Sequence, residues 1–328
     1  MEVQVIPELA LKPGSSEYFF AGIEQLHSLL KGLNLKSCYA NTIDCFWGVR
    51  LGDLLNVPVT WIIHESTPLA EAHLRLACPQ RLQFYESFSR ASRFVFVSNG
   101  SQKVFQSLAP LEKSSVIPNG VDLKKFDNSI VSQVADRKRL QLGIEAKDFV
   151  VLMVGRLCYR KGQDTLLNAL ALLELPEFVS DIKVVLLGDG DENYLEKLRE
   201  QSLKQGIADR VVFQSGSTDV SSYYSMADLL VIASREEAAP LVSLEAMAHS
   251  LPIISTPVSG LSEQIENKRS GMFFKTGDAK DLAKKIEIVF NDPKLQRSLG
   301  QEARRRVEEK FDLSITQKLY LRELERNL

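Results

Sequence analysis

Cysteine, histidine and tryptophan are scarce in this sequence, with 4, 4 and 2 copies in 328 residues. The cysteines (Cys38, Cys45, Cys78 and Cys158) are scattered without a CxxC pair. Neither a disulfide framework nor a metal site is therefore expected, and a reducing compartment fits. No apolar run reaches the length of about 18 residues that spans a bilayer, and no leader segment is expected before the first element. An excess of one charge is also missing: 40 Lys and Arg stand against 42 Asp and Glu, a net charge of -2. That balance, with no Lys/Arg stripe among aromatics, argues against a nucleic-acid partner. Arg304-Arg305-Arg306 lies among Glu302, Glu308 and Glu309 and reads as a solvated helix face. The expected location is the cytoplasm, either free or at the cytoplasmic face of a membrane.

What is present is an ordinary soluble composition, 45% apolar and 25% charged, over a length that suits two domains with full cores. Short β-rich runs alternate with helical patterns nearly throughout. Strands are expected at 3–6, 37–40, 57–63, 93–97 and 114–117, and then at 149–154, 182–187, 211–214, 229–233, 252–255 and 272–274. Helices are expected at 16–33, 44–55, 79–89, 163–173, 192–205, 241–248, 261–266 and 279–291, with two closing helices at 293–310 and 312–328. Such alternation predicts α/β architecture with parallel sheets built by right-handed crossovers. The expected domains are 1–122 and 148–310, joined by a polar, charged linker at 123–147 that contains a short helix. Residues 311–328 form a terminal helix.

Two glutamates carry the chemistry. Glu237 and Glu245 lie in the run Ser234-Arg-Glu-Glu-Ala-Ala-Pro-Leu-Val-Ser-Leu-Glu-Ala-Met-Ala248, which follows the apolar segment Asp228-Leu-Leu-Val-Ile-Ala233. Pro240 suits a first helical position, where its missing N–H costs nothing. Glu237 is then in the loop at the carboxyl end of a strand, and Glu245 on the helix that follows, leaning back toward its start. In an open α/β sheet that crevice is where ligands bind. A second loop matches it: Phe149-Val-Val-Leu-Met-Val154 runs into Gly155-Arg-Leu-Cys-Tyr-Arg-Lys-Gly162. Arg156 and Lys161 there can offset a diphosphate, and the amides opening the 241–248 helix add an anion site. The carboxylates suit hydroxyls of a sugar and a ribose, Glu237 the former and Glu245 the latter. Glu236 is adjacent, and only the spacing to Glu245 favours Glu237.

Other assignments compete. Arg156 and Lys161 alone would read as surface charges, and two carboxylates as solvated surface or as a glycosidase acid/base pair. Gly188-Asp-Gly-Asp191 lacks the third glycine of a dinucleotide fingerprint, which disfavours a nicotinamide enzyme and leaves a tight turn. His64 ends the apolar strand Val59-Thr-Trp-Ile-Ile63 and suits either a structural role or a ligand-facing one; His27, His73 and His249 lack such context. Gly216 would let a base pack on backbone. The region 82–93 mixes aromatics with arginines, which suits packing against the sheet or contact with a membrane.

At these residues the chain resembles the retaining nucleotide-sugar glycosyltransferases of glycosyltransferase family 4, which have the two-domain GT-B fold. The resemblance rests on Ile117-Pro-Asn-Gly-Val-Asp122, Gly155-Arg156 with Lys161-Gly162, Tyr223-Tyr-Ser-Met-Ala-Asp228, the Glu237/Glu245 pair and Pro257-Val-Ser-Gly-Leu-Ser-Glu263. It implies two Rossmann-like domains with a cleft between them, and a nucleotide-diphosphate sugar, UDP- or GDP-linked, as co-substrate without cofactor or metal. It also implies a glycan or lipid-linked acceptor, and a last helix that crosses back to the first domain. Arg156 and Lys161 match the family's cations on the departing diphosphate, Glu237 its donor-sugar carboxylate, Glu245 its ribose carboxylate and His64 a first-domain histidine near the transferred sugar. The implied catalytic set is His64, Arg156, Lys161 and Glu237. The implied donor-binding set is Gly155, Gly216, Ala239, Pro240, Leu241, Val242 and Glu245. Two departures stand out. Ala238-Ala-Pro-Leu241 replaces the commoner Gly-Phe-Gly-Leu. The first domain is also expected to lack its first βαβ unit, roughly 30 or more residues with a glycine-rich loop, because 2–6 reads as a third strand. A nucleotide-sugar-binding pseudoenzyme or partner subunit is the alternative function.

Overall fold

The computed structural model describes residues 16–68, 76, 78–126, 131–173 and 181–326. The strand expected at 3–6 and His73 lie outside them. The chain divides into two compact units, Met1–Pro118 with Lys318–Leu328, and Asn119–Gln317.

Among the described residues, the first unit holds four parallel strands: β1 (Cys38–Asn41), β2 (Val59–Ile63), β3 (Arg93–Phe96) and β4 (Ser114–Val116), side by side in chain order. Helices Ser16–Leu30, Phe46–Leu54, Cys78–Arg90 and Asn99–Phe105 accompany them. The core is aromatic. Trp61 is fully buried, 4.6 Å from the Phe88 ring, and Phe88 stacks on Phe94 at 5.8 Å. Burying each ring contributes about 1.5–3 kcal/mol, and the Trp61 indole N–H keeps a partner by donating to the Thr42 carbonyl at 2.8 Å. The region 82–93 therefore splits: Phe84 and Phe88 pack on this core, while Leu82 and Tyr85 are exposed. On the final helix, Leu313–Glu325, Glu323 is buried and accepts from the Arg93 guanidinium and from Ser115 Oγ at 2.8 Å.

Among the described residues, the second unit holds six parallel strands: β5 (Phe149–Val154), β6 (Ile182–Leu187), β7 (Val211–Gln214), β8 (Leu229–Ile232), β9 (Ile253–Ser255) and β10 (Met272–Phe273). Their order across the sheet is β10-β9-β8-β5-β6-β7. In chain order this is the doubly wound 3-2-1-4-5-6 arrangement, and it reverses between β5 and β8. These strands are covered on both faces, which is why they read as continuous apolar runs rather than alternating ones. Val150 and Leu152 pack in one cluster with Tyr224 and Leu244. Val151 and Met153 pack in the other with Leu166 and Ile182.

Within the segment 123–147, helix Val131–Gln141 packs on helix Val220–Met226: Arg139 donates to the Met226 carbonyl at 2.9 Å, and Lys138 lies 4.5 Å above the Tyr223 ring. Val121 pairs with the start of the last helix, its N–H donating to the Phe311 carbonyl and its carbonyl accepting from Leu313, both at 2.9 Å. A Cβ on Gly120 would meet Thr316 Oγ1 at 2.5 Å, so that close approach needs glycine.

Candidate functional site

The loop after β5 is built on glycines. Gly155 has φ +144°, and its N–H donates to the Leu187 carbonyl at 2.9 Å. Gly162 has φ +79°, and a Cβ there would lie 2.1 Å from the Ala233 carbonyl oxygen. Only glycine lets this loop and the loop after β8 press together so closely. Between these glycines, a short 3-10 turn at Tyr159–Lys161 points Lys161 inward while Arg156 remains exposed. Arg156 makes no ion pair among the described residues; its carbonyl accepts from Gln163 Nε2 at 3.0 Å.

The loop after β8 is locked to the first by Arg235. Its guanidinium pairs with Asp164 at 2.7 Å, lies 3.8 Å over the Tyr159 ring, and its N–H donates to the Arg160 carbonyl at 2.8 Å. Glu237 is 6% exposed. Its Oε1 accepts from Lys161 Nζ and from Ser234 Oγ at 2.7 Å, and its Oε2 lies 3.6 Å from Arg160. A buried carboxylate needs such donors to remain charged. The structure thus joins two residues, Lys161 and Glu237, whose pairing the sequence does not announce. Ala239 is buried, and its carbonyl accepts from Asn119 Nδ2 at 2.8 Å. The Asn-Gly of the 117–122 motif therefore tethers the same loop.

Pro240 stands one place earlier than expected. It is the N-cap, with extended φ −68° and ψ 140°, and helix Leu241–Ala248 begins after it. No side chain caps that helix, because the N-cap proline has no side-chain acceptor, and Ser243 Oγ turns to Gln264 Oε1 at 2.5 Å and to the Pro240 carbonyl. The Leu241 and Val242 amides are therefore the exposed positive end of the helix. Glu245 lies one turn in, half-buried, and accepts from the Tyr224 hydroxyl at 2.7 Å. After β7, the Gly216 N–H donates to Asp189 Oδ1 at 3.1 Å.

His64 belongs to the first unit, at the carboxyl end of β2. Its Nε2 meets Asn41 Oδ1 at 2.8 Å, and burial lowers its pKa, which keeps the ring neutral at neutral pH. Glu65 Oε2 collects the N–H groups of His64 and Ile43, both at 2.9 Å, and burial raises its pKa against those bonds. His249, without context in the sequence, stacks on Tyr224 beneath Glu245, with 5.4 Å between ring centroids. Its signal was its position, one turn after Glu245 on the same helix. No group of three His, Cys, Asp or Glu among the described residues is placed to hold a metal ion.

The family model described as glycosyl transferases group 1 matches residues 134–306, and the one described as Glycosyltransferase Family 4 matches residues 3–125. The chain belongs to the group 1 glycosyl transferases. Within that family, an uncharacterized glycosyltransferase of Methanocaldococcus jannaschii is 31% identical over 281 residues, covering 81% of this chain and 68% of that protein. A D-inositol 3-phosphate glycosyltransferase of Jonesia denitrificans is 30% identical over 203 residues, covering 60% of this chain and 48% of that one. The matched stretch thus spans about half the length of such relatives. Among solved structures, Anabaena HepE in complex with UDP and glucose superposes with a TM-score of 0.84 at 24% identity, covering 96% of this chain and 83% of that one. Sucrose-phosphate synthase from Thermosynechococcus elongatus gives 0.79 at 24%, covering 99% and 84%. These likenesses establish the GT-B fold, with two Rossmann-like units.

Among the described residues, no helix is long and apolar enough to cross a membrane. Chemically, two cations and a helix start without a capping side chain can take a diphosphate, and two held carboxylates can accept from hydroxyls.

Proposed function

We propose that this protein transfers a hexose from a UDP- or GDP-linked donor to an acceptor hydroxyl, with retention at the anomeric carbon and without a metal ion. The observation that carries this reading is the Lys161–Glu237 pair beside an uncapped helix start, at the reversal between β5 and β8. Ligands of doubly wound sheets bind at that reversal. The HepE structures in complex with UDP and with UDP-glucose support testing UDP-linked donors first.

In this reading, Arg156, Lys161 and the Leu241 and Val242 amides face the diphosphate. As the bond from the anomeric carbon to the β-phosphate oxygen breaks, these groups stabilise the charge growing on the leaving group, the preorganised electrostatics that dominate such steps. The acceptor oxygen bonds to the same face of that carbon, and its proton passes to the departing phosphate. Glu237 Oε1 is occupied by Lys161 and Ser234, so Oε2, which lies 3.6 Å from Arg160, is the oxygen left for a sugar hydroxyl. Glu245 takes the ribose. His64 enters through the resemblance alone, as a neutral hydrogen-bonding imidazole. The acceptor is a glycan or lipid-linked hydroxyl compound.

The test is incubation with UDP- and GDP-linked hexoses, following release of the nucleotide diphosphate with and without chelator. Release that survives chelation is expected. Binding without release would instead make the chain a nucleotide-sugar-binding partner.

A further inference from the structure

We infer that Tyr224 is a positioning residue for ribose recognition: its hydroxyl fixes the Glu245 carboxylate in the orientation that grips the ribose diol of the nucleotide. The inference rests on the donor site proposed above and adds a residue to it.

Tyr224 is 2% exposed, and its hydroxyl donates to Glu245 Oε2 at 2.7 Å, its one hydrogen bond among the described residues. Glu245 Oε1 has no hydrogen-bond partner among them, so one oxygen is held and the other is presented. A free glutamate on a helix samples several rotamers, and one anchored oxygen removes most of that freedom before a ligand arrives. The anchor is itself held. The Tyr224 ring stacks on His249 at 5.4 Å and 29°, His249 Nε2 meets Ser221 Oγ at 3.1 Å, and Phe126 packs edge-on against the imidazole at 5.1 Å. Burial and the Glu245 charge push the phenol pKa well up, so the hydroxyl remains a donor. Burial and then Arg304 lower the His249 pKa to about 4, so the ring stacked on the phenol is uncharged at neutral pH.

A simple brace between helices Val220–Met226 and Leu241–Ala248 would use the same bond, and the two roles differ in what they do to ligands. The decisive experiment titrates the wild-type chain and Tyr224→Phe with UDP, GDP and their 2′,3′-dideoxy analogues, with thermal midpoints to confirm folding. The variant is expected to bind UDP or GDP about 10-fold more weakly, the scale of one hydrogen bond to a charged group. It is expected to bind the dideoxy analogues as the wild type does. In a Glu245→Ala background, Tyr224→Phe should then add no further loss. Equal loss for both ligand types, no loss at all, or an additive loss in that background would overturn the positioning role. A wild-type chain that binds none of the nucleotides would overturn the donor site itself.

Discussion

At the amino edge of the six-stranded sheet, Arg139 donates to the carbonyls of Met226 and Asp148 at 2.9 Å and to Asp228 Oδ2 at 2.8 Å. Asp228 also accepts from the Val150 N–H at 2.7 Å. At the carboxyl edge, Arg156 has no ion pair among the described residues, the Leu241–Ala248 helix has no side-chain cap, and Glu245 keeps an open oxygen. The amino edge also has an open cavity of about 660 Å³, lined by Arg139, Asp148, Phe149 and Asp228. Where the chain satisfies its own charges, as around Arg139, the polar groups hold elements together. Where it leaves donors and acceptors unmatched at a sheet reversal, it has the arrangement that the proposed donor site uses.

Removing the amino-edge charge should have the largest effect on stability. Arg139→Ala leaves Asp228, whose carboxyl pKa burial already raises, without its cation. A loss of about 3–5 kcal/mol is expected by chemical denaturation, with nucleotide affinity of the folded fraction unchanged. An equal loss of nucleotide affinity would erase the distinction between the edges.

A smaller effect is expected from pH. The His249 pKa falls from 6.5 to about 4 in the folded chain. The unfolded chain then takes the proton first, so this contribution is complete above pH 6.5 and is lost as pH falls toward 4, by about 3 kcal/mol. His64 shifts in the same direction, while the raised carboxyls of Glu65 and Asp228 act oppositely. Denaturation midpoints of wild type and His249→Gln across that window should converge as pH falls. Parallel curves would show that the imidazole under Tyr224 does not titrate with folding.

Much of the second unit was legible in the sequence because its strands are mostly apolar runs, many bounded by glycine or charge. Phe149–Val154, Ile182–Leu187 and Val211–Gln214 fall where expected, as do helices Leu241–Ala248, Ala279–Asn291 and Pro293–Lys310. Helix Asn99–Phe105 was hidden by its opening Asn-Gly, a turn signal that the Ser98 cap on the Ser101 N–H overrides. Helix Val220–Met226 is short and rich in serine, and depends on Asp219 accepting from the Ser222 N–H. The helix expected at 261–266 begins two residues earlier, at Ser259. Of the candidate site, the loops and the charged residues on them were readable from spacing. The bonds Lys161–Glu237 and Tyr224–Glu245 were not, because each joins residues on different elements that only the sheet order brings together.

In the proposed function, Arg156, the Glu237-paired Lys161 and the helix-start amides at the carboxyl edge serve a departing diphosphate. Steady-state turnover of Lys161→Ala with a UDP- or GDP-linked hexose tests it most directly. The expected result is a kcat reduced about 100-fold or more in the folded protein, with a lower thermal midpoint because the buried Glu237 loses its cation. Unchanged turnover in a folded variant would contradict it.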